Sequence, residues 1–400
     1  MNISDYSNKV NWLFNQFPVF QKVGAKAYKP TLDNTKSLIS FFSIPIDEMS
    51  FVHVAGTNGK GTTCSIVASA LTESGKKVGL FTSPHIKDFR ERIRVNGKMI
   101  SENEVVHYIN MVQSHSFEFS PSFFEITWAM ALAHFYKMDC DVVVVETGLG
   151  GRLDATNVII PELSIITNIG LDHVAILGGT RKLIAGEKAG IIKKGVPVVI
   201  GEGDEEVAPV FKEVAEAIEA PIYFLENLQE VDAFQQNSNL AFKALDILLG
   251  DISGKETLYS NAISKLYENT GLFGRSQVYS ESPLIILDAA HNPMGVEKLI
   301  RNIQLNYSYR NVRVLYGTSN DKDLDAILGL FPVEWKYFFT EFSNNRSTRI
   351  QDLKENSNVK QLNAKYFSNA KKAFTEAKSI ESELDMIVVF GSFFLLEDII

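Results

Sequence analysis

Cysteine is scarce in this chain of 400 residues: Cys64 and Cys140 are the two, and neither lies in a CxxC or metal-finger spacing. That argues against a disulfide scaffold and makes a reducing cytoplasm the expected setting. Long apolar runs are missing as well. The richest stretch, "DMIVVFGSFFLLEDII", is interrupted or too short to span a bilayer, and "MNISDYSNKVNWLFNQF" lacks the charged and apolar regions of a signal peptide. Positive charge is in deficit. Lys and Arg total 39 against 48 Asp and Glu, a net charge of −9, which disfavours a general nucleic-acid or anionic-membrane surface while leaving room for local basic pockets. No internal repeat or low-complexity tract is present. Hydrophobic residues at 45% and charged ones at 22% are ordinary for a soluble globular protein. A chain of this length exceeds one ordinary core, so two domains are expected. Small-molecule ligands and a monomer are the expected partners and state.

Short apolar runs, each closed by glycine or a polar turn, recur through the first two-thirds: "FVHVAG", "KVGLFTS", "DVVVVETG", "LSIITNIG", "VPVVIG" and "PIYFL". Segments with helical spacing, such as Thr62 to Ser74 and Phe123 to Tyr136, lie between them. Continuous apolar strands alternating with helices predict an α/β fold with a parallel sheet covered on both faces. A second series, "PLIILDAAH", "NVRVLYGTS", "WKYFFTEF" and "DMIVVFGS", predicts a smaller α/β unit. "LYENTGLFGRSQVYSES" shows no clear periodicity and suits a linker. The expected organisation is residues 1–270, a linker over 271–280, and residues 281–400.

"HVAGTNGKGTTC" joins a predicted strand to a predicted helix through glycines. Small residues admit a close ligand, and the helix N-terminus favours an anion. The spelling departs from G-x-x-x-x-G-K-[ST]: Gly61 separates Lys60 from Thr62, and two residues lie between Gly56 and Gly59. Lys60 is placed to reach terminal phosphates and Thr62 to face magnesium. Glu146, in "VVVVETGLGGRLDATN", ends a buried strand, on the side where open α/β sheets bind ligands, and a carboxylate there suits magnesium. "TNIGLDHVAILGGT" brings Asp172 and His173 after a strand expected to neighbour that of Glu146. In "IAGEKAGIIKKG", composition alone reads Lys188, beside Glu187, as a solvated helix lysine. "LFTSPHIKDFRERIRVNG" ends a strand at hydroxyls, including Ser83, and continues into Arg90, Arg92 and Arg94, either bidentate anion holders or a solvated loop. Arg275 precedes Asp288 by thirteen residues, and His291 follows it.

Together "VAGTNGKGT", "TSPHIKDFRERIRVNG", "ETGLGGRLDATN", "GLDH…LGGT…IAGEKAGI" and "DAAHNPMG" resemble the bacterial bifunctional folylpolyglutamate synthase / dihydrofolate synthase enzymes of the Mur ligase superfamily. The resemblance runs from about residue 25 to "VVFGSFF". It implies a P-loop ATPase domain, a smaller Rossmann-like C-terminal domain, and an active site in the cleft between them. It implies that Thr57, Asn58, Gly59, Lys60, Gly61 and Thr62 form the ATP phosphate loop, the displaced Gly61 being the family's usual spelling. Thr62 stands where serine is common. Ser83, Glu146 and His173 match magnesium-holding positions, and two ions are expected. Lys188 matches a carbamylated lysine, which reverses the reading from composition. Asn239, Arg275 and Asp288, with His291 nearby, match nucleotide contacts. Ser122, Phe123, Phe124 and Glu125, and then Leu153, Asp154 and Ala155, match segments lining a dihydropteroate pocket. Either phenylalanine is a stacking candidate or a core residue, and Asp154 is a candidate acceptor from the pterin. Residues 25–28 fall near another pterin contact.

The implied reaction is ATP-dependent: a substrate carboxylate becomes an acyl phosphate, which L-glutamate attacks through its amine. Lys60, His173 and Lys188 are the expected catalytic groups. Dihydropteroate, reduced folates or both remain open as acceptors, with both favoured by "SFFE" and "LDA". Three other readings compete: a different Mur-type amino-acid ligase, a non-catalytic nucleotide-binding module, and a simple kinase. The short stretch before the phosphate loop disfavours the first. The retained Lys60, Glu146, His173 and Lys188 disfavour the second, and a phosphorylated product would mark the third.

Overall fold

The computed structural model describes residues 3–18, 31–226, 231–379 and 384–400; residues 25–28 lie outside them. It divides into two compact units, one of residues 1–231 and 235–272, the other of 232–234 and 273–400.

Unit 1 is built on eight strands: β1 (Phe51–Ala55), β2 (Val78–Phe81), β3 (Ile93–Val95), β4 (Lys98–Met99), β5 (Val142–Glu146), β6 (Leu163–Ile166), β7 (Val198–Ile200) and β8 (Ile222–Phe224), in the order β4-β3-β2-β5-β1-β6-β7-β8. From β2 to β8 all neighbours pair in parallel. Every residue of β1, β2, β5, β6 and β7 is buried, as the unbroken apolar runs require of strands covered on both faces. Helix Lys60–Glu73 buries eleven consecutive residues, Gly61 to Leu71, and helix Phe123–Lys137 is similarly enclosed, as expected of helices apolar on most sides.

Chain order sets the functional edge. The strands β5 and β6 pair with opposite sides of β1, so the loops after β1, β5 and β6 emerge together at the carboxyl ends, where such sheets bind ligands. One expectation is corrected here: the strand before His173 does not neighbour that of Glu146, because β1 lies between them. A glycine-free end to β1 would not fit. A Cβ on Gly56, at φ +152°, would stand 1.8 Å from Thr167 Oγ1.

Unit 2 carries β9 (Gln277–Glu281), β10 (Leu284–Leu287), β11 (Asn311–Tyr316), β12 (Lys336–Thr340), β13 (Asn363–Phe367) and β14 (Asp385–Phe390), in the order β13-β12-β11-β14-β10-β9. All pairs are parallel except β9 with β10. The aromatic residues Tyr316, Phe331, Trp335, Tyr337, Phe339 and Phe390 anchor its core. Within the stretch expected as a linker over 271–280, residues from Gln277 onward form the edge strand β9. Its residues are partly exposed, so it offers no apolar run to read. The same holds for β4 and β13. Among the described residues, no helix is long and apolar enough to cross a membrane.

Candidate active site

The loop after β1 is fixed by the loop after β6. Thr57 N donates to Asn168 O at 2.9 Å. Thr57 Oγ1 donates to Gly170 O at 3.2 Å and accepts from Gly170 N at 3.0 Å. Asn58 N donates to Asn168 Oδ1 at 2.9 Å, while Asn58 O accepts from Asn168 Nδ2 at 3.0 Å and Thr167 Oγ1 at 2.6 Å. Gly59 then turns at φ +80° and caps helix Lys60–Glu73. A side chain there would meet Asn237, whose Oδ1 lies 2.2 Å from an ideal Cβ. Successive N–H groups at a helix start, beside a lysine, make an anion cradle.

Two lysines converge on one carbonyl. Lys60 Nζ donates to Gly56 O at 3.1 Å and Thr57 O at 3.3 Å, and Lys188 Nζ donates to the same Gly56 O at 2.8 Å. Lys188 is 3% exposed, so the solvated-lysine reading from composition fails. Tight backbone packing is what buries it. Arg152 N donates to Glu187 O at 2.7 Å, and a Cβ on Gly151 would crowd the Glu187 and Lys188 carbonyls. Burial, with the Lys60 charge, pushes the Lys188 amine down to about 7, against smaller opposing pulls from Asp172 and Asp154.

Glu146, 3% exposed at the end of β5, accepts from Ser83 N at 3.0 Å through Oε2. Its charge is felt by Arg92, and by Cys64 in the loop helix, which also feels Lys60. His173 is half-buried in a left-handed conformation, φ 52°, starting the short helix Val174–Leu177. Thr62, one turn into the loop helix, is buried. Among the described residues, no three or more His, Cys, Asp or Glu side chains gather as a closed metal cage. A buried carboxylate and a hydroxyl residue at strand ends fit magnesium, which keeps waters and takes the rest of its shell from phosphate oxygens.

The expected pterin segments each have local structural partners. Ser122 caps helix Phe123–Lys137, and Glu125 closes a capping box with it; the S-x-x-E spacing before an apolar run was a readable signal for this. Phe123 is a core residue, 2% exposed, stacked on Phe14 at 4.4 Å with Arg92 over its ring at 5.4 Å. Phe124 is half-buried, with its ring against Gly148. Asp154 organises its loop, accepting from Leu149 N at 2.7 Å, Thr156 N at 3.0 Å and Thr156 Oγ1 at 2.5 Å. Since Thr156 donates there, it accepts from His53 Nε2, 2.8 Å away. Leu153 is half-buried and Ala155 buried. Of the arginines, Arg90 pairs with Asp88 at 2.7 Å, buried Arg92 donates to His85 Nδ1 at 2.6 Å, and Arg94 donates to Gly97 O at 3.0 Å. Asn239 accepts from Gln235 Nε2 at 2.8 Å on helix Ala233–Leu249.

In unit 2, Asp288 accepts from Ser276 N and Ala290 N, each at 2.6 Å. Burial raises its carboxyl, against the pull of Arg275. Arg275 lies over Phe393 at 4.8 Å, and the His291 ring is 6.4 Å from the same phenylalanine. Sequence reasoning passed over a second cationic group, in the segments after β11 and β12. Arg346 pairs with Asp321 at 2.7 Å and Lys322 with Asp321 at 3.8 Å. Thr348 N donates to Thr318 O at 2.8 Å, and the buried Thr348 hydroxyl has no partner among the described residues.

Residues 54–279 match the Mur ligase middle domain and residues 274–393 the Mur ligase, glutamate ligase domain. The chain belongs to the Mur ligase family. Within it, the chain is 34% identical to the dihydrofolate synthase/folylpolyglutamate synthase of Bacillus subtilis, over 93% of this chain and 94% of that one. It is 33% identical to the Escherichia coli protein of the same name, over 85% and 83%. E. coli FolC in complex with DHPP and ADP superposes with a TM-score of 0.84 at 28% identity, covering 98% of this chain and 96% of that one. Mycobacterium tuberculosis folylpolyglutamate synthase complexed with ADP gives 0.86 at 25% identity, over 99% and 97%. The Yersinia pestis bifunctional enzyme complexed with AMPPNP and Mn gives 0.83 at 28% identity, over 98% and 96%. This Mur ligase is therefore an ATP-dependent ligase of the folylpolyglutamate synthase / dihydrofolate synthase branch.

The Lys188 amine titrates in the folded protein at about 7, against the ordinary 10.5. Between those values the unfolded chain holds a proton that the folded one lacks, so this group makes stability rise with pH; below about 7 the buried cation opposes folding fully. Lys188→Met is therefore expected to raise the melting temperature of the ligand-free protein, most at about pH 6 and least at about pH 10. Melting curves at both pH values check this.

Proposed function

We propose that the enzyme joins L-glutamate to dihydropteroate and to reduced folates, with ATP converting the acceptor carboxylate into an acyl phosphate. The observation that carries the reading is the cradle after β1, where Lys60 and a glycine-capped helix start meet the buried Glu146 end of β5. The relatives' names and bound ligands, DHPP, ADP and, in one Mn and AMPPNP complex, L-glutamate, supply the substrate class. On this reading residues 1–270 bind ATP and the pteridine substrate, and residues 281–400 serve glutamate. Two free cysteines suit the reducing cytoplasm in which folates are made.

In the first step the acceptor carboxylate oxygen attacks the γ-phosphorus in line, the β,γ-bridge bond breaks, and ADP leaves. The loop N–H groups of Gly59 to Thr62 hold the phosphates, those of Thr57 and Asn58 being bound to Asn168, and Lys60 moves from the Gly56 and Thr57 carbonyls to the migrating phosphoryl group. Such transfers are driven mainly by positioning and charge neutralisation. Ser83, Glu146 and His173 would hold magnesium, which would supply further neutralisation of phosphate charge. The glutamate amine then attacks the acyl carbon, loses a proton, and phosphate departs carrying one former carboxylate oxygen. Phe124, its ring against Gly148, is the ring available to the pteridine, and Asp154 holds the 149–156 segment in shape. In unit 2, Arg275, Asp288 and His291 serve the nucleotide. Arg346 and Lys322 suit the carboxylates of an acidic amino acid.

Lys188 is proposed to carry a carbamate. Its amine, titrating at about 7, is substantially neutral at physiological pH and so nucleophilic toward carbon dioxide. The carbamate anion then relieves the confrontation of two cations on the Gly56 carbonyl. Lys188→Ala is expected to lose activity that short carboxylic acids partly restore; an unaffected variant would remove the carbamate from the mechanism.

Offering dihydropteroate and tetrahydrofolate separately, each with ATP and glutamate, tests the substrate assignment. Glutamylated product and stoichiometric ADP are expected with both, and a phosphorylated product without glutamate would indicate a kinase instead. Lys60→Ala should lower ligation at least ~10³-fold with an unchanged circular dichroism spectrum. Arg346→Ala should raise the KM for glutamate by ~10-fold or more while leaving ADP affinity within about twofold of wild type.

A further inference from the structure

The nucleotide loop is short and rich in backbone freedom. Two residues separate Gly56, at φ +152°, from Gly59, at φ +80°. A loop so built loses much conformational entropy when a phosphate orders it, and that loss is subtracted from affinity unless the loop is already held. Here it is held by a neighbour. The Asn168 side chain bonds both backbone polar groups of one residue: Oδ1 accepts from Asn58 N at 2.9 Å and Nδ2 donates to Asn58 O at 3.0 Å. Thr167 Oγ1 adds a second donor to Asn58 O at 2.6 Å, from a side chain that fills the space left by the missing Cβ of Gly56. Asn168 O receives Thr57 N at 2.9 Å. Thr167 and Asn168 are both buried, 3% and 7% exposed.

We infer that Thr167 and Asn168 are positioning residues of the phosphate loop, which clamp the Asn58 peptide so that the following N–H groups present a preformed anion site. They touch neither reacting atoms nor substrate in this role and act through the loop. Their support is anchored in turn from behind. Arg181 Nε donates to Ile169 O at 3.0 Å, while its guanidinium pairs with Asp204 and with Glu206 at 2.9 Å. Of the two clamp residues, the threonine offers the cleaner dissection, because valine keeps its shape and serine keeps its hydroxyl.

This inference rests on the phosphate-loop reading, and the test separates the two. ADP alone is titrated calorimetrically into the full-length wild type, Thr167→Val, Thr167→Ser and Asn168→Ala, and the melting temperature of each is recorded without ligand. The clamp predicts an ADP Kd raised about 5–10-fold in Thr167→Val and at least ~10-fold in Asn168→Ala, as expected for loss of buried hydrogen bonds. It predicts Thr167→Ser within about twofold of wild type, and a KM for glutamate unchanged in all three. Wild-type affinity for ADP in both Thr167→Val and Asn168→Ala would overturn the clamp while leaving the phosphate loop standing. Weakened binding that serine does not rescue would also overturn it, by showing that methyl packing rather than the hydroxyl matters. Absence of ADP binding in the wild type would overturn the phosphate-loop reading itself.

Discussion

The carbonyl oxygen of Gly56 accepts from two lysines at once, Lys60 and Lys188. Two cations sharing one neutral acceptor inside a largely buried site repel each other, and burial together with the Lys60 charge lowers the Lys188 amine to about 7. Loss of its proton relieves Lys188, and the proposed phosphate and carbamate anions would relieve the pair further. Everything around that carbonyl serves to keep the pair together. Glycine at 56 admits Thr167 against the backbone, the β6 loop fixes the next peptide, and the 147–157 loop packs onto the helix Arg181–Ala189 to bury Lys188.

The sheet order makes the convergence possible. With β1 flanked by β5 and β6, the cradle, the Glu146 carboxylate and the His173 segment all rise from adjacent carboxyl ends. None of these groups needs a long loop to reach its place, which is why a glycine-bounded strand end suffices for each. The 147–157 loop is the exception. It is long enough to need internal order, and Asp154, Thr156 and His53 provide it through bonds of 2.5–2.8 Å.

What the sequence disclosed and what it hid follow from the same physics. The ten apolar runs all form strands: most carry an unbroken hydrophobic signature because they are buried on both faces, while β8 keeps an apolar run although its residues are half-exposed. The strands β3, β4, β9 and β13 were hidden because polar or half-exposed strands carry no such mark. Lys60 and Glu146 were legible, since glycine and a strand end advertise their setting. Lys188 was not legible from composition: "RKLIAGEKA" mixes charge along its length, and only the backbone approach of Gly151 shows which lysine is enclosed. In the "SFFE" segment Ser122 and Glu125 satisfy a helix start and the first phenylalanine fills the core, which leaves Phe124 half-buried. Thr167 and Asn168 give no one-dimensional signal, because their partners lie more than a hundred residues away.

The central claim is that ATP activates the acceptor's carboxylate by direct phosphorylation. Transfer of oxygen tests it most directly. Dihydropteroate labelled with oxygen-18 in its carboxylate is turned over with unlabelled ATP and glutamate, and the released phosphate is analysed by mass spectrometry. The account predicts one labelled oxygen in each inorganic phosphate formed from doubly labelled carboxylate. Unlabelled phosphate alongside glutamylated product would contradict it.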